Sequence, residues 1–245
     1  MKLARLDEGP EIFLSLQGEG KNQGVPSVFV RTSRCNLYCV WCDTPYTWNW
    51  RGAGFAHEGA RQFDRDAETI EIDAHAVAVR VIGFACRRVV LTGGEPLLQP
   101  QECAALAREL RALDPRYQIE IETNGTLAPP PELDAVIDQY TVSPKLDHSQ
   151  VERSLRMKPA VLAAFARNPK SVFKFVVAAD SDVAAVRELA EQHDIDPDRI
   201  YLMPLGTTPQ ELGARRPAIA EACLERGYRF SDRLHIHLYG NRPGV

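Results

Sequence analysis

No run of about 18 or more apolar residues occurs in this chain of 245 residues, so no membrane-spanning helix is expected. The first eight residues lack the apolar stretch of a secretory leader, so export is not expected either. Positive charge is not in excess: 29 Lys and Arg stand against 33 Asp and Glu, a net charge of −4, which argues against a broad nucleic-acid-binding face. No repeat of fixed period and no dividing linker is evident. Cysteine is scarce, and three of the six residues are crowded together, which is not the pattern of a disulfide framework. A reducing cytoplasm is the expected setting. What remains is an ordinary apolar content of 44%, enough for a well-buried α/β core.

The crowded cysteines are Cys35, Cys39 and Cys42, in the spacing C-x3-C-x2-C. Three thiolates on one short loop suit three irons of a 4Fe–4S cluster and leave the fourth open to a small molecule. Electron-transfer clusters are ordinarily held by four cysteines, so three suggest chemistry at the open iron. Two other readings fit the spacing. The residues are also i, i+4 and i+7, one face of a helix that would bury three free cysteines. A zinc site is the other, but no second C-x2-C pair exists, so its fourth ligand would come from Cys86, Cys103, Cys223 or a distant histidine.

Strand and helix signals alternate along the chain. Strands are expected at residues 28–32, 89–92, 117–122, 140–142, 172–177 and 200–203, and a last one at 234–238. Helices are expected between them, with Asp73 capping one that runs to about Gly83, and others at 159–167 and 209–226. This order predicts a parallel sheet with right-handed crossovers, an incomplete, open β/α barrel of about six β/α units rather than the eight of a closed barrel. The residues with chemistry cluster after the strands: the cysteine loop, Thr92-Gly93-Gly94-Glu95-Pro96, Glu122-Thr123-Asn124-Gly125, Ser143-Pro144-Lys145 and Met203-Pro204-Leu205-Gly206. Parallel α/β folds build sites at those ends. In the second segment the glycines allow a tight turn and close approach to a ligand, and Glu95 offers a carboxylate to a ligand ammonium. A plain strand-to-helix turn is the alternative.

The cysteine loop and the Gly-Gly-Glu-Pro string together resemble the radical S-adenosylmethionine (SAM) superfamily. Further segments narrow the likeness: Phe13 to Gly20, Cys42-Asp43-Thr44, Glu122 to Thr126, Ser143-Pro144-Lys145 and Leu234 to Arg242. These resemble the 7-carboxy-7-deazaguanine synthase family of queuosine (tRNA 7-deazapurine) biosynthesis, almost end to end. The likeness is weakest at 49–72, which reads as an insertion over the site or a dimer element within a single radical SAM domain spanning 1–245.

The resemblance implies a ring-contracting lyase that converts 6-carboxy-5,6,7,8-tetrahydropterin to 7-carboxy-7-deazaguanine with loss of ammonia. A 5′-deoxyadenosyl radical would take hydrogen from the pterin, SAM would be regenerated, and Mg2+ would assist. By the same resemblance Cys35, Cys39 and Cys42 hold the cluster and Thr44 ligates Mg2+. Trp41, Cys42, Asp43, Gly94, Glu95, Ser143, Pro144, Lys145, Met203, Pro204, Leu205 and Gly206 contact SAM. Leu16, Gln17, Gly18, Arg31, Thr92 and the terminal Val245 grip the pterin. A homodimer and an electron donor such as flavodoxin are also implied. Plainer roles compete for several of these. Gln17 and Glu19 fit a solvated turn, Arg31 an edge strand, Lys145 an exposed position, and Lys174 either face of its strand. His235 and His237 fit an ordinary strand face. Two rival functions are a radical SAM activase of a glycyl-radical enzyme and, further off, a zinc-bearing regulatory protein.

Overall fold

The computed structural model describes residues 1–52 and 61–245. Runs rich in Val, Ile, Phe and Thr form strands, as their branched and aromatic side chains favour. They are β1 (Lys2–Leu6), β2 (Gly9–Pro10), β3 (Ile12–Leu16), β4 (Pro26–Thr32), β5 (Thr69–Glu71) and β6 (Arg88–Gly93). After these come β7 (Gln118–Thr123), β8 (Gln139–Val142), β9 (Ser171–Val177), β10 (Ile200–Pro204) and β11 (Arg229–Phe230). The helices are α1 (Arg65–Glu68), α2 (Ala74–Ile82), α3 (Pro100–Leu113), α4 (Pro131–Asp134) and α5 (Arg153–Arg156). The remaining four are α6 (Pro159–Arg167), α7 (Asp180–His193), α8 (Pro209–Arg226) and α9 (Leu234–Tyr239).

Among the described residues the strands form one sheet, in the order β11-β10-β9-β8-β7-β6-β4-β1-β2, with β3 beside β4 and β5 beside β1. From β4 to β11 every neighbouring pair is parallel. The first and last strands of that path do not pair, so the barrel is open, as the alternating signals predict. Six of the parallel strands have four residues or more, and β11 has two. Capping chemistry sets helix starts where the sequence placed them. Asp73 accepts from the Ala76 backbone N–H at 2.7 Å, and Thr208 and Glu211 form a reciprocal box at the head of α8.

Side-chain alternation decides what each strand shows to each face. Val28, Val30, Val89, Leu91, Ile119, Ile121, Phe173 and Phe175 pack outward into one apolar core with the helices. The intervening residues, including Phe29, Arg31, Val90, Thr92, Glu120, Glu122 and Lys174, point the other way, into the barrel. Phe13, Phe29 and Val90 form an apolar floor there, the two rings stacked 5.2 Å apart.

Three expectations need correction. Residues 234–238 alternate apolar and polar, yet they form helix α9. That segment crosses the strand ends instead of extending the sheet: the Leu234 N–H donates to Gly18 O at 2.9 Å and only Ile236 is fully buried. The cysteine loop is not helical, so the reading of three cysteines on one helical face fails. The three antiparallel strands before β4 were not anticipated. The region at 49–72 is described at both ends, where Thr69–Glu71 joins the sheet and Asn49 reaches Arg61 O at 2.8 Å. Its middle, 53–60, lies outside the described residues.

Candidate active site

A cavity of about 570 Å³ opens at the carboxyl ends of the parallel strands. One wall is the cysteine loop. It begins at Arg34, whose φ of +79° is rare for a residue with a side chain and turns the chain out of β4. Cys35, Cys39 and Cys42 all line the cavity. Burial pushes all three thiols up, Cys39 to about 12 even though the charges of Lys145 and Arg156 work against it. The Leu37 N–H points at Cys35 Sγ from 3.4 Å, and Asn124 Nδ2 lies 3.9 Å from the same sulfur. Such donors stabilise thiolate charge and tune a cluster's potential.

The Gly-Gly-Glu-Pro segment serves this wall in a way the sequence reading did not foresee. A Cβ on Gly94 would fall 1.9 Å from Arg34 O, and one on Gly93 would fall 2.3 Å from Thr32 O. The glycines let β6 lie directly against the base of the cysteine loop, where the Glu95 N–H donates to Arg34 O at 2.8 Å. Glu95 does not reach the cavity. Its fully buried carboxylate accepts from Leu97 N (3.0 Å), Thr123 Oγ1 (2.9 Å) and Asn124 N (2.7 Å). It braces the neighbouring strand end, which corrects its expected role as a partner for a ligand ammonium. Pro96 starts a helical turn, where its missing N–H costs nothing.

Opposite the cysteines stands a network of charged and polar groups. Thr92 Oγ1 donates to Glu122 Oε2 at 2.7 Å, and Gln17 Nε2 to Glu122 Oε1 at 3.2 Å. Lys174 pairs with Glu19 at 2.5 Å and lies 3.7 Å from Glu122. Arg233 joins Glu19 at 3.0 Å to Asp43 at 2.5 Å, and donates to Gly206 O at 2.6 Å. Burial opposes ionisation of Glu19, but Lys174 and Arg233 outweigh it and hold the carboxyl well below its usual range. Burial likewise works against the Lys174 cation, and Glu122 and Glu19 overcome it, so its pKa is raised. These groups are therefore ionised throughout the neutral range.

Most of the expected contacts converge on this cavity: Leu16, Gln17, Gly18, Arg31, Trp41, Asp43, Thr44, Thr92, Gly94, Ser143, Lys145, Met203, Leu205 and Val245 all line it. Pro144, Pro204 and Gly206 stand behind the wall, with Gly206 packed against Glu211 and Leu212 of α8. Arg31 is not on a free edge: it lies between β6 and the antiparallel strands and pairs with Glu11 at 2.7 Å. Lys174 turns inward, and His235 sits on a helix against Gly18. Asn241 to Val245 reach across the mouth, where a Cβ on Gly244 would meet Leu6 Cδ2 at 2.6 Å. Glu11, Tyr46 and Arg233 were missed as site residues, and Glu122 and Asn124 were placed at the site end of the strands without a contact being assigned to them. Charged residues recurring at every second position of β7, next to Ile119 and Ile121, were the readable signal for Glu122.

The donor set fits a 4Fe–4S cluster with SAM. Three thiols, Cys39 buried and Cys35 and Cys42 half-buried, share one cavity, and Trp41, in the same wall, buries an indole N–H with no acceptor among the described residues. Lys145 Nζ lies 5.6 Å from the Trp41 ring and donates to Ser143 Oγ at 3.0 Å, a cation placed for an anionic group. Among the described residues no three His, Cys, Asp or Glu side chains converge on one point as a single metal ion requires. A cluster instead spreads its thiolates over separate irons.

An open parallel barrel with a three-cysteine loop at its strand ends defines a radical SAM protein, and residues 29–168 match the Radical SAM superfamily. Within that superfamily the chain belongs to the 7-carboxy-7-deazaguanine synthase family. It is 40% identical to the 7-carboxy-7-deazaguanine synthase of Pyrobaculum aerophilum, over 96% of this chain and 95% of that one. It is 38% identical to that of Halobacterium salinarum, over 95% and 90%. A crystal structure of QueE from Escherichia coli matches with a TM-score of 0.63 and 26% identity, covering 96% of this chain and 95% of that one. The chain is an enzyme of this type, and its superfamily implies a 4Fe–4S cluster and SAM. No helix among the described residues is long and apolar enough to cross a membrane.

Proposed function

We infer that the chain converts 6-carboxy-5,6,7,8-tetrahydropterin to 7-carboxy-7-deazaguanine, releasing ammonia. One observation carries this reading: the cavity that holds the three thiols also holds Gln17, Arg31, Thr92 and Glu122 on its far wall. A flat, polar bicycle with a carboxylate needs donors and acceptors on several edges, and this wall supplies both. Phe13 and Phe29 offer its ring an apolar floor. A glycyl-radical activase has no use for such a wall.

When bound, the cluster and SAM supply one-electron chemistry and a carbon-centred hydrogen abstractor. The protein's residues do the rest. Cys35, Cys39 and Cys42 hold the cluster; Trp41, Asp43, Ser143, Lys145, Met203 and Leu205 shape the SAM site, with Pro144, Pro204 and Gly206 supporting it from behind. Gly94 shapes it through the backbone. Leu16, Gln17, Gly18, Arg31, Thr92 and Val245 bind the pterin, Arg31 taking its carboxylate as a fork. Thr44, whose hydroxyl lies 3.8 Å from Cys42 Sγ, would supply the protein ligand for Mg2+, an ion that binds oxygen donors. The tail over the mouth keeps water from the reacting centre.

The chain is read as one radical SAM domain, since a single sheet takes strands from Lys2 to Phe230. A cytoplasmic homodimer reduced by a flavodoxin-like donor completes the proposal. Anaerobic incubation with SAM, reductant, Mg2+ and the pterin should yield the deazaguanine. SAM cleavage without any deazaguanine would refute the substrate.

A further inference from the structure

Arg31 is held from below by a residue outside the cavity. Glu11, in the turn between β2 and β3, is fully buried. Its Oε1 accepts from Arg31 Nε at 2.7 Å and its Oε2 accepts from Tyr46 OH at 2.9 Å. Its backbone carbonyl also accepts from the Arg31 N–H at 3.1 Å, so both ends of Arg31 are tied to one residue. Tyr46 approaches from the far side of the cysteine loop and is itself clamped, since its carbonyl accepts from Trp50 Nε1 at 3.0 Å.

A guanidinium has five donors, and Glu11 engages only Nε. Among the described residues no acceptor is hydrogen-bonded to Nη1 or Nη2, and Arg31 lines the cavity while Glu11 does not. A carboxylate that arrives in the cavity can therefore take the two terminal nitrogens as a parallel pair. Because Glu11 already balances the charge of Arg31, an anion gains little from net attraction. What it gains is a fork held at a fixed angle, which rewards a planar carboxylate in one place over a diffuse negative charge.

We propose that Glu11 and Tyr46 are positioning residues that aim the terminal nitrogens of Arg31 at the substrate carboxylate, and so set selectivity for a carboxylated pterin. This rests on the substrate reading above. Glu11 lies outside the cavity and acts through Arg31; Tyr46 lines the cavity, and the role assigned to it here runs through its hydrogen bond to Glu11.

The test compares 6-carboxytetrahydropterin with tetrahydropterin lacking the carboxylate, in wild type, Glu11→Ala, Glu11→Gln and Tyr46→Phe. Glu11→Ala should raise KM for the carboxylated pterin by about 100-fold, the order expected when a clamp loses its aim, with kcat changed far less. KM for the analogue should stay put, so the preference between the two collapses. Glu11→Gln keeps an oxygen for Nε and should retain most of the preference; Tyr46→Phe should lose a smaller part. Iron content and SAM affinity serve as checks that each variant is folded.

A second readout needs no substrate. In protein with 15N-labelled arginine, the Nε–H signal of Arg31, assigned by its loss in Arg31→Lys, should be protected from exchange in wild type and Glu11→Gln and exchange freely in Glu11→Ala. Equal losses on both pterins, an unchanged KM in Glu11→Ala, or an unprotected Nε–H in wild type would overturn the proposal. A wild-type enzyme that binds neither pterin overturns the substrate reading and with it the selectivity claim, while the exchange measurement still decides the brace.

Discussion

The two walls of the cavity are assembled in opposite ways. The cysteine wall is local, because Cys35, Cys39 and Cys42 come from one loop and the nearest donor to a sulfur is two residues along. The facing wall is knitted from the ends of the chain. Gln17 and Glu122 are 105 residues apart, Glu19 and Lys174 are 155 apart, and Glu19 and Arg233 are 214 apart. Arg233 also crosses to Asp43, next to Cys42, and so pairs with both walls. A local wall survives as a short motif, whereas a distributed one exists only once the strands of the sheet have assembled. On the proposed function, the shared radical chemistry rides on the loop, and the substrate would be recognised by what lines the open side of the barrel.

The comparison breaks most sharply at the cysteines. Serine at Cys35, Cys39 or Cys42 should reduce loading from about four irons per chain to near none, because a hydroxyl is a poor substitute for thiolate. Serine at Cys86, Cys103 or Cys223 should leave it unchanged. Iron and sulfide analysis with the EPR spectrum of the reduced protein decides this, and iron lost from Cys103→Ser but kept in Cys39→Ser would reverse the assignment.

Arg233 tests the long-range wall. Arg233→Met leaves Glu19 with Lys174 and, 3.9 Å away, His235, and leaves Asp43 without its ion pair. Removing one member of a buried pair should cost about 3–5 kcal/mol in a denaturant titration, with iron loading retained in protein that folds. A loss under about 1 kcal/mol, the range of exposed pairs, would mean that Arg233 does not hold the walls together.

A smaller effect separates the two depths of the barrel interior. Glu120 lies one step below Glu122 on the same face of β7 and accepts from Thr141 at 2.6 Å and Asn22 at 2.8 Å. Burial, then the charge of Glu122, raises its pKa. The folded state thus holds that proton more tightly than the unfolded chain. Stability is lost as pH rises above the unfolded carboxylate value of about 4.3. Glu120→Gln should therefore gain about 1 kcal/mol at pH 8, and the gain should vanish below about pH 4. Melting curves at the two pH values check it; a destabilised variant at pH 8 would show that the hydrogen bonds outweigh burial.

The same contrast explains what could be read from the sequence. The parallel strands, the helices α6 and α8 and the cysteine loop follow from period, caps and motif spacing, whereas most of the cavity lining was implied by the resemblance of further segments to a known family. Glu95 could not be read correctly, since whether a carboxylate faces a ligand or a neighbouring strand depends on where residues 123 and 124 arrive. Glu11 and Arg233 carry no motif, and their roles arise from contacts across 20 and 190 residues. Residues 234–238 misled because a period of two is also compatible with a short helix that buries a single side chain, Ile236.

The central claim is that the cluster side and the substrate side are separable. Deleting residues 243–245 removes part of the tail over the mouth and, among the described residues, no backbone hydrogen bond of the cysteine loop. The decisive measurement is two rates in that variant, formation of 7-carboxy-7-deazaguanine and cleavage of SAM without pterin. The account predicts that the first falls at least about tenfold, as for loss of a clamp on the substrate, while the second stays near wild type. Both rates falling together would show that the tail supports the cluster or the fold, and would contradict a cavity with two independent walls.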